Sequence, residues 1–316
     1  MIRAAFFPTL WALVAVVSCA GEVPTGPSIR SEEFIELNGV KQYLLIRGDD
    51  VTRNPVLLFV HGGPGFPGGI FVRRNAELER DFTVVHWDQR GAGHSYQSGP
   101  LRETMTVDQF ASDTVALSRW LAKRFGRRRI ILVGHSWGTM VAALAVARAP
   151  ACFEAFVSVS QLSNYRESQR VLAAGTPRGP PTLRVGNPRI LWWTLTSPEY
   201  SPWMLPSVLA GYGFTVGALE KEIVTTDLSA RIKTLDVPVW FFAGAHDNVV
   251  GEVVIREFYE RLRAPRGKHY VRFENSRHWP HLQEPEKFAA EMRKVRRAVW
   301  PGAETKRPGM MARPDR

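Results

Sequence analysis

The residues most able to do chemistry lie in a pentapeptide near the middle of the chain, Gly134–Gly138, which reads Gly-His-Ser-Trp-Gly. An apolar, β-branched run from Ile130 to Val133 ends at its first glycine, and a small-residue run with helical spacing follows its last. This pattern predicts a strand, a sharp turn and a helix, with Ser136 on the turn. Glycines on both sides let neighbouring backbone come close, so the hydroxyl would project freely at the head of the helix. Ser136 is therefore a candidate nucleophile.

A serine hydroxyl at its ordinary pKa is a weak nucleophile, so it needs an imidazole to take its proton and a carboxylate to orient that imidazole. Two loops later in the chain supply these groups. Asp247 follows a predicted strand at 237–242, and His278 follows the last predicted strand, at 269–273. Because the carboxyl ends of parallel strands lie at one edge of a sheet, we expect Ser136, Asp247 and His278 to form a catalytic triad there.

Other residues compete for these roles. His281 is the second candidate for the base. Asp88 is the weaker candidate for the acid, because it follows an earlier strand than the order of nucleophile, acid and histidine requires. His135 lies beside the nucleophile in the sequence, and we expect it to pack beneath the turn rather than to act as the base.

Backbone N–H groups that could stabilise an anion are expected at two turns. A buried predicted strand runs into the turn His61–Gly65, whose sequence is His-Gly-Gly-Pro-Gly, and such a turn exposes backbone N–H groups. Pro64 has no N–H, so Gly63 is the better candidate donor and Gly62 the second. With the N–H of Trp137 at the start of the predicted helix, Gly63 would form an oxyanion hole.

The order of the predicted elements indicates the fold class. A hairpin is expected at 34–48, around an Asn-Gly turn, and strands then alternate with helices. Continuously apolar strands in such an order predict a mostly parallel central sheet with helices on both faces. The chain order of Ser136, Asp247 and His278 is that of the α/β-hydrolase fold. The other strands are predicted at 55–60, 82–87 and 153–159, and helices at 107–125, 252–262 and 286–299.

The strand pattern is interrupted at 161–233, which predicts a mainly helical cap inserted between two parts of the core, 28–160 and 234–300. The cap is rich in Pro, Trp and Tyr. Its aromatic side chains, Trp192 and Trp203 among them, are candidates for lining a substrate pocket, although packing between helices is the commoner use of such residues.

The carboxyl-terminal end carries an uneven share of the charge. Between Arg293 and Arg316 there are eight basic residues and two acidic ones, so more than half of the net charge of +11 lies there. We expect residues 301–316 to form a basic flexible tail. Because no basic stripe interleaved with aromatic residues accompanies this charge, the sequence argues against nucleic-acid binding.

Residues 1–27 are typical of an export signal and linker. Arg3 precedes an apolar run at 4–17, which is too short to span a bilayer comfortably and is followed by Ser-Cys-Ala-Gly. Residues 16–19 also resemble a bacterial lipobox, in which Cys19 would carry a lipid and attach the protein to a membrane. We therefore expect an exported protein that is periplasmic, secreted or lipid-anchored. An uncleaved N-terminal helix of a cytoplasmic protein is the alternative.

Three motifs together resemble the proline iminopeptidase (prolyl aminopeptidase) group of α/β hydrolases: His61–Gly65, Gly134–Gly138 and Asp88–Ser95, which reads Asp-Gln-Arg-Gly-Ala-Gly-His-Ser. The similarity covers roughly residues 34–299 in layout. It implies the triad named above, no metal or other cofactor, a lidded pocket, and release of N-terminal residues from short peptides. It also implies that cap glutamates bind the free ammonium group of the substrate; the candidates are Glu199, Glu220 and Glu222.

These features predict a serine hydrolase that forms an acyl-enzyme with a short-peptide or small-molecule substrate. The triad does not distinguish amides from esters, because His278 could protonate either leaving group. The cap lacks the Trp-x-x-Trp-Glu pattern that accompanies ammonium binding in the aminopeptidases, so a carboxylesterase for small hydrophobic esters is the alternative. An epoxide hydrolase-type enzyme is less expected because it would have Asp in place of Ser136. A non-catalytic binding protein is less expected because the triad is complete.

Overall fold

The structure is a computed structural model, and it describes residues 26–96, 99–175, 192 and 196–301 of the 316-residue chain. Its framework is an eight-stranded sheet in the order β1-β2-β4-β3-β5-β6-β7-β8. The strands are β1 Ile29–Leu37, β2 Val40–Gly48, β3 Val56–Val60, β4 Thr83–Asp88, β5 Ile130–His135, β6 Phe153–Val159, β7 Val239–Gly244 and β8 Lys268–Phe273.

The six strands β3 to β8 are parallel to one another, while β1 and β2 are antiparallel to their neighbours. The predicted mostly parallel sheet is therefore confirmed. The hairpin turns at Asn38 and Gly39, whose φ values of 47° and 79° suit a tight turn between two strands. β1 begins at Ile29, before the predicted boundary at residue 34, because the polar residues of this half-exposed edge strand conceal its apolar alternation.

Six helices of eight or more residues lie in the described parts of the chain. Thr106 caps the first of them as predicted, since its hydroxyl accepts a hydrogen bond from the N–H of Gln109 at 3.1 Å. The helices are α1 Val107–Arg124, α2 Trp137–Arg148, α3 Tyr165–Ala173, α4 Leu205–Thr225, α5 Glu252–Arg261 and α6 Pro285–Val299, with single α-helical turns at Gly93–Tyr96, Leu228–Arg231 and Pro280–Gln283 and 3-10 helices at Gly69–Arg74, Ala76–Arg80, Arg102–Thr104, Pro150–Cys152 and Pro202–Met204.

Apolar residues fill both faces of the sheet. In β3, the side chains of Val56, Leu58 and Val60 belong to the cluster formed with α1, α2 and α5, while Leu57 and Phe59 belong to the cluster formed with α6. This alternation follows from the two-residue period of a strand. A strand buried on both faces must be apolar throughout, which explains why the central strands read as continuous apolar runs.

The described part of the predicted cap is helical. It contains α3, α4 and the turn Leu228–Arg231, with one isolated antiparallel bridge between Asn164 and Asp227. Residues 176–191 and 193–195 of the predicted cap lie outside the described residues. α4 packs closely on the core: the hydroxyl of Thr215 donates to the backbone oxygen of Gly91 at 3.0 Å, and a Cβ at Gly211 would lie 2.7 Å from the same oxygen.

The chain enters the sheet at the edge opposite the carboxyl ends of the parallel strands. β1 is antiparallel to β2 and β2 is antiparallel to β4, so β1 runs in the same direction as the parallel strands and begins at their amino-terminal edge. The backbone oxygen of Pro27 accepts a hydrogen bond from the N–H of Val51 at 3.1 Å on that side. Across the described ranges, no helix combines the length and apolar character needed to span a bilayer.

Candidate active site

The pentapeptide Gly134–Gly138 forms a sharp turn between β5 and α2. Ser136 has φ 52° and ψ −121°, a sparsely populated combination for a residue with a side chain. A Cβ at Gly138 would lie 2.1 Å from the backbone oxygen of Val60, and one at Gly134 would lie 2.6 Å from the backbone oxygen of Gly138. Because these distances exclude any side chain, both glycines are needed for β3, β5 and α2 to meet behind the serine.

Ser136, His278 and Asp247 lie in hydrogen-bond contact at the carboxyl ends of three strands. The Oγ of Ser136 lies 2.8 Å from Nε2 of His278. Nδ1 of the same ring lies 3.0 Å and 3.1 Å from the two carboxylate oxygens of Asp247. A neutral imidazole that donates its Nδ1–H to the carboxylate presents Nε2 as the acceptor for the serine proton. The structure thus brings together the three residues that the sequence singled out.

The loop after β7 fixes the Asp247 carboxylate. One of its oxygens accepts hydrogen bonds from the N–H groups of Val249 at 2.9 Å and Val250 at 3.0 Å, while the carboxylate faces His278. Burial raises the pKa of this carboxyl, but the histidine and the two N–H donors outweigh burial and lower the pKa to about 2. Asp247 is therefore ionised and oriented at neutral pH.

The two other histidines near the site have different surroundings. His135 packs beneath the turn as expected, and its Nε2 lies 2.8 Å from the backbone oxygen of His278, so it supports the loop that carries the base. His281 is 1% exposed and lies among the rings of Phe59, Phe71, Trp279 and Phe288 with no hydrogen-bond partner for either ring nitrogen. Burial lowers the pKa of His281 to about 3. The serine contact belongs to His278 and not to its competitor.

Asp88, the weaker candidate for the acid, does not contact a histidine side chain through its carboxylate. Its oxygens accept hydrogen bonds from the N–H of Gly68 at 3.0 Å, the N–H of His94 at 2.9 Å and the hydroxyl of Tyr200 at 2.7 Å. Burial raises the pKa of this carboxyl. Because Tyr200 belongs to the predicted cap, Asp88 ties the cap to the end of β4.

The glycine-rich turn after β3 lies against the nucleophile. A Cβ at Gly62 would lie 3.2 Å from Cβ of Ser136, and Gly63 has φ 127°, a conformation that side-chain-bearing residues rarely adopt. The N–H of Trp137, the first residue of α2, has no acceptor within its own helix. The glycine-rich turn and the start of α2 thus lie beside Ser136, and the role of their N–H groups as an oxyanion hole stays a prediction.

Gln89 is a residue that the analysis of the sequence did not single out. It is fully buried, its Nε2 donates to the backbone oxygen of His61 at 2.8 Å, and its Oε1 accepts a hydrogen bond from the Trp137 indole at 3.0 Å. Its own N–H donates to Nε2 of His61 at 3.1 Å. One amide therefore connects the two turns that carry the candidate oxyanion donors. The signal in the sequence was a neutral hydrogen-bonding residue directly after a buried strand.

The candidate ammonium ligands have other partners or are exposed. Glu199 pairs with Arg47 at 3.3 Å and accepts a hydrogen bond from the Ser197 hydroxyl at 2.8 Å. Glu222 accepts the N–H of Val107 at 2.9 Å and so caps the start of α1. Glu220 is exposed on α4. The structure thus gives two of the three carboxylates a structural contact, and ammonium binding stays a prediction.

The two candidate pocket tryptophans lie on the surface of the described cap. Trp203 is 90% exposed and Trp192 is 65% exposed. The ring of Trp279 lies 5.9 Å from that of His278 and 5.4 Å from that of Phe71. Phe71 belongs to an apolar cluster with Phe66, Ile70, Tyr200 and Val208, and Trp279 packs against this cluster.

Comparisons with known proteins agree with this site. The family model described as "Serine aminopeptidase, S33" matches residues 55–286. The chain is 32% identical over 308 residues to the probable aminopeptidase YbaC of Bacillus subtilis (strain 168), which covers 84% of this chain and 96% of that protein. This chain belongs to the S33 serine aminopeptidase family. The proline iminopeptidase of Clostridioides difficile (strain 630) is 24% identical over 287 residues, covering 82% of this chain and 95% of that protein.

Solved structures show the same fold as this S33 family member. The proline iminopeptidase-related protein TTHA1809 from Thermus thermophilus superposes with a TM-score of 0.64 at 22% identity, covering 86% of this chain and 99% of that chain. The N-acyl homoserine lactonase AidH superposes with a TM-score of 0.61 at 16% identity, covering 89% of this chain and all of that chain (100%). The protein is thus an α/β-fold hydrolase related to aminopeptidases, and the expected resemblance is confirmed.

Proposed function

We propose that this S33 family member is a serine hydrolase that works through an acyl-enzyme. The observation that carries the proposal is the continuous contact from Ser136 Oγ to His278 Nε2 at 2.8 Å and from His278 Nδ1 to Asp247 at 3.0 Å. No part of this chain of contacts needs to move before the serine can lose its proton.

The proposed reaction has two halves. In the first half, Oγ of Ser136 attacks the acyl carbon of the substrate while His278 takes the hydroxyl proton, and Asp247 stabilises the imidazolium that forms. The N–H groups of Trp137 and Gly63 stabilise the negative oxygen of the tetrahedral intermediate. His278 then gives its proton to the leaving group, which departs and leaves an ester on the serine. In the second half, His278 activates a water that hydrolyses this ester.

We propose that the substrate is a short peptide, from which the enzyme releases the N-terminal residue. The S33 family and the aminopeptidase relatives support this proposal. One observation favours a carboxylesterase as the second candidate: among the described residues, the carboxylates of Glu199 and Glu222 are engaged with Arg47 and the start of α1. Of the three candidate carboxylates, Glu220 is the one left without such a contact in the described part of the chain, and it is exposed on α4.

A comparison of turnover on three aryl substrates tests both candidates. Purified protein is assayed on proline aryl amide, on the same amide with its amine blocked, and on a short-chain aryl ester, with Ser136→Ala as the control. We expect the free-amine amide to be preferred, blocking of the amine to abolish its cleavage, and Ser136→Ala to abolish turnover while the thermal unfolding midpoint stays unchanged. Turnover of the ester alone would favour the carboxylesterase, and unchanged turnover in Ser136→Ala would exclude the mechanism.

A further inference from the structure

A cavity of about 310 Å³ lies between the 3-10 helix after the glycine-rich turn and the cap. On one side it is bounded by the helix Gly69–Arg74, and on the other by described residues of the cap. The cavity is lined by Ile70, Arg73, Arg74, Trp192, Thr196 and Ser197. Two guanidinium groups, two hydroxyl-bearing residues and an exposed indole are a chemically distinctive set for a surface cavity.

This cavity is connected to the candidate active site by a short series of packed side chains. Ile70 lines the cavity and belongs to the same apolar cluster as Phe71. The ring of Phe71 lies 5.4 Å from that of Trp279, and the ring of Trp279 lies 5.9 Å from that of His278. Packed side chains thus connect the wall of the cavity to the base.

The surroundings of the cavity are electropositive. Arg73 has no carboxylate partner among the described residues. The nearby carboxylate of Glu199, which accepts the Ser197 hydroxyl, is paired with Arg47 at 3.3 Å. The cavity therefore suits an anion, and the planar guanidinium group suits a carboxylate.

We propose that this cavity binds the C-terminal carboxylate of a short peptide whose first residue lies at Ser136. The inference rests on the proposed peptidase function and adds the class of substrate: peptides of a few residues with a free carboxyl end. Ile70, which lines the cavity, contacts the peptide near its end, and Arg73 pairs with the terminal carboxylate. Peptides with an amidated end lose this pairing.

Binding to Ser136→Ala protein tests the inference without turnover. The dissociation constants of the tripeptide Pro-Gly-Gly and of its C-terminal amide are measured by calorimetry. We expect the free acid to bind about three- to tenfold more tightly, because a partly exposed charge-assisted pair contributes an effect of that size. Adding Arg73→Gln should make the two constants equal. Arg73 is exposed, so this substitution should leave the unfolding temperature unchanged.

Arg119→Gln in the same background is the matched control, because Arg119 is an exposed arginine on α1 that does not line the cavity. It should keep the preference for the free acid. Equal binding of acid and amide to Ser136→Ala protein, or binding of neither, overturns the inference. Turnover by the unmutated enzyme reports separately on the proposed function: tight binding of the acid without cleavage of any peptide would retain the anion site and reject the peptidase.

Discussion

Two neighbouring regions at the catalytic edge of the sheet differ in whether their buried polar side chains have hydrogen-bond partners. Around Ser136, the polar side chains of the triad and of Gln89 have partners: His278 contacts both Ser136 and Asp247, and Gln89 makes hydrogen bonds to both adjacent turns. A few residues away, His281 lies among aromatic rings with both ring nitrogens unpaired. The comparison shows that partners, and not residue type or distance along the chain, decide which histidine can act as a base.

The largest effect on kcat should come from breaking the contact between Asp247 and His278. Asp247→Asn keeps an oxygen that can accept the N–H groups of Val249 and Val250 but removes the charge that orients His278. We expect kcat on an aryl ester to fall by about 10³- to 10⁴-fold, because the imidazolium loses its counter-charge and the favoured tautomer. The thermal unfolding curve should show a folded protein. Asp236→Asn, at an exposed carboxylate paired with Arg266 at 2.9 Å, should retain full activity; a similar loss there would contradict the assignment.

A smaller effect is expected from Gln89→Leu, which removes both hydrogen bonds between the two turns. The turns should then lose their relative position, and kcat should fall by about 10- to 100-fold with little change in KM, because misplaced donors weaken binding of the transition state more than binding of the substrate. Gln89→Glu should be impaired at least as much, because a buried carboxylate oxygen would face the backbone oxygen of His61 that now accepts a hydrogen bond. If Gln89 were only structural, the unfolding temperature would fall while kcat per folded molecule stayed constant.

The smallest effect on activity is expected from replacing His281, whose ring nitrogens have no hydrogen-bond partner. His281→Phe replaces a ring with two unpaired nitrogens by an apolar ring, so kcat should stay within about threefold and stability at pH 7.5 should be equal or higher. The folded state holds the pKa of His281 near 3, below the value of about 6.5 expected when unfolded. As the pH falls below 6.5, His281 is protonated in the unfolded state but not in the folded state, so the free energy of unfolding decreases. The slope is about 1.4 kcal/mol per pH unit.

The measurement for this variant is the unfolding free energy at pH 7.5 and pH 5. His281→Phe should lose less stability over this interval than the unmutated protein, by up to about 2 kcal/mol. His269→Phe, at an exposed histidine that stacks on Trp240, is the matched control and should follow the unmutated protein. An identical pH dependence in His281→Phe would show that His281 has a partner in solution.

The sheet, the turn at Ser136 and the three triad residues could be predicted because local sequence determines them. Continuous apolar strands, paired glycines and polar residues at strand ends each have a direct structural cause. Asp88 and His281 could not be assigned in this way, since their roles depend on contacts with Tyr200 from the cap and with rings from several strands and helices. The contact of Glu222 could not be predicted for the same reason, because its hydrogen bond to the start of α1 forms only when the cap helix is placed beside that helix.

The direction of β1 decides how the molecule would be presented if its leader remained attached to a bilayer. β1 begins at the amino-terminal edge of the parallel strands, whereas Ser136 lies at the carboxyl-terminal edge. If Cys19 carries a lipid, as we propose, the anchor therefore joins the folded domain at the edge of the sheet opposite Ser136.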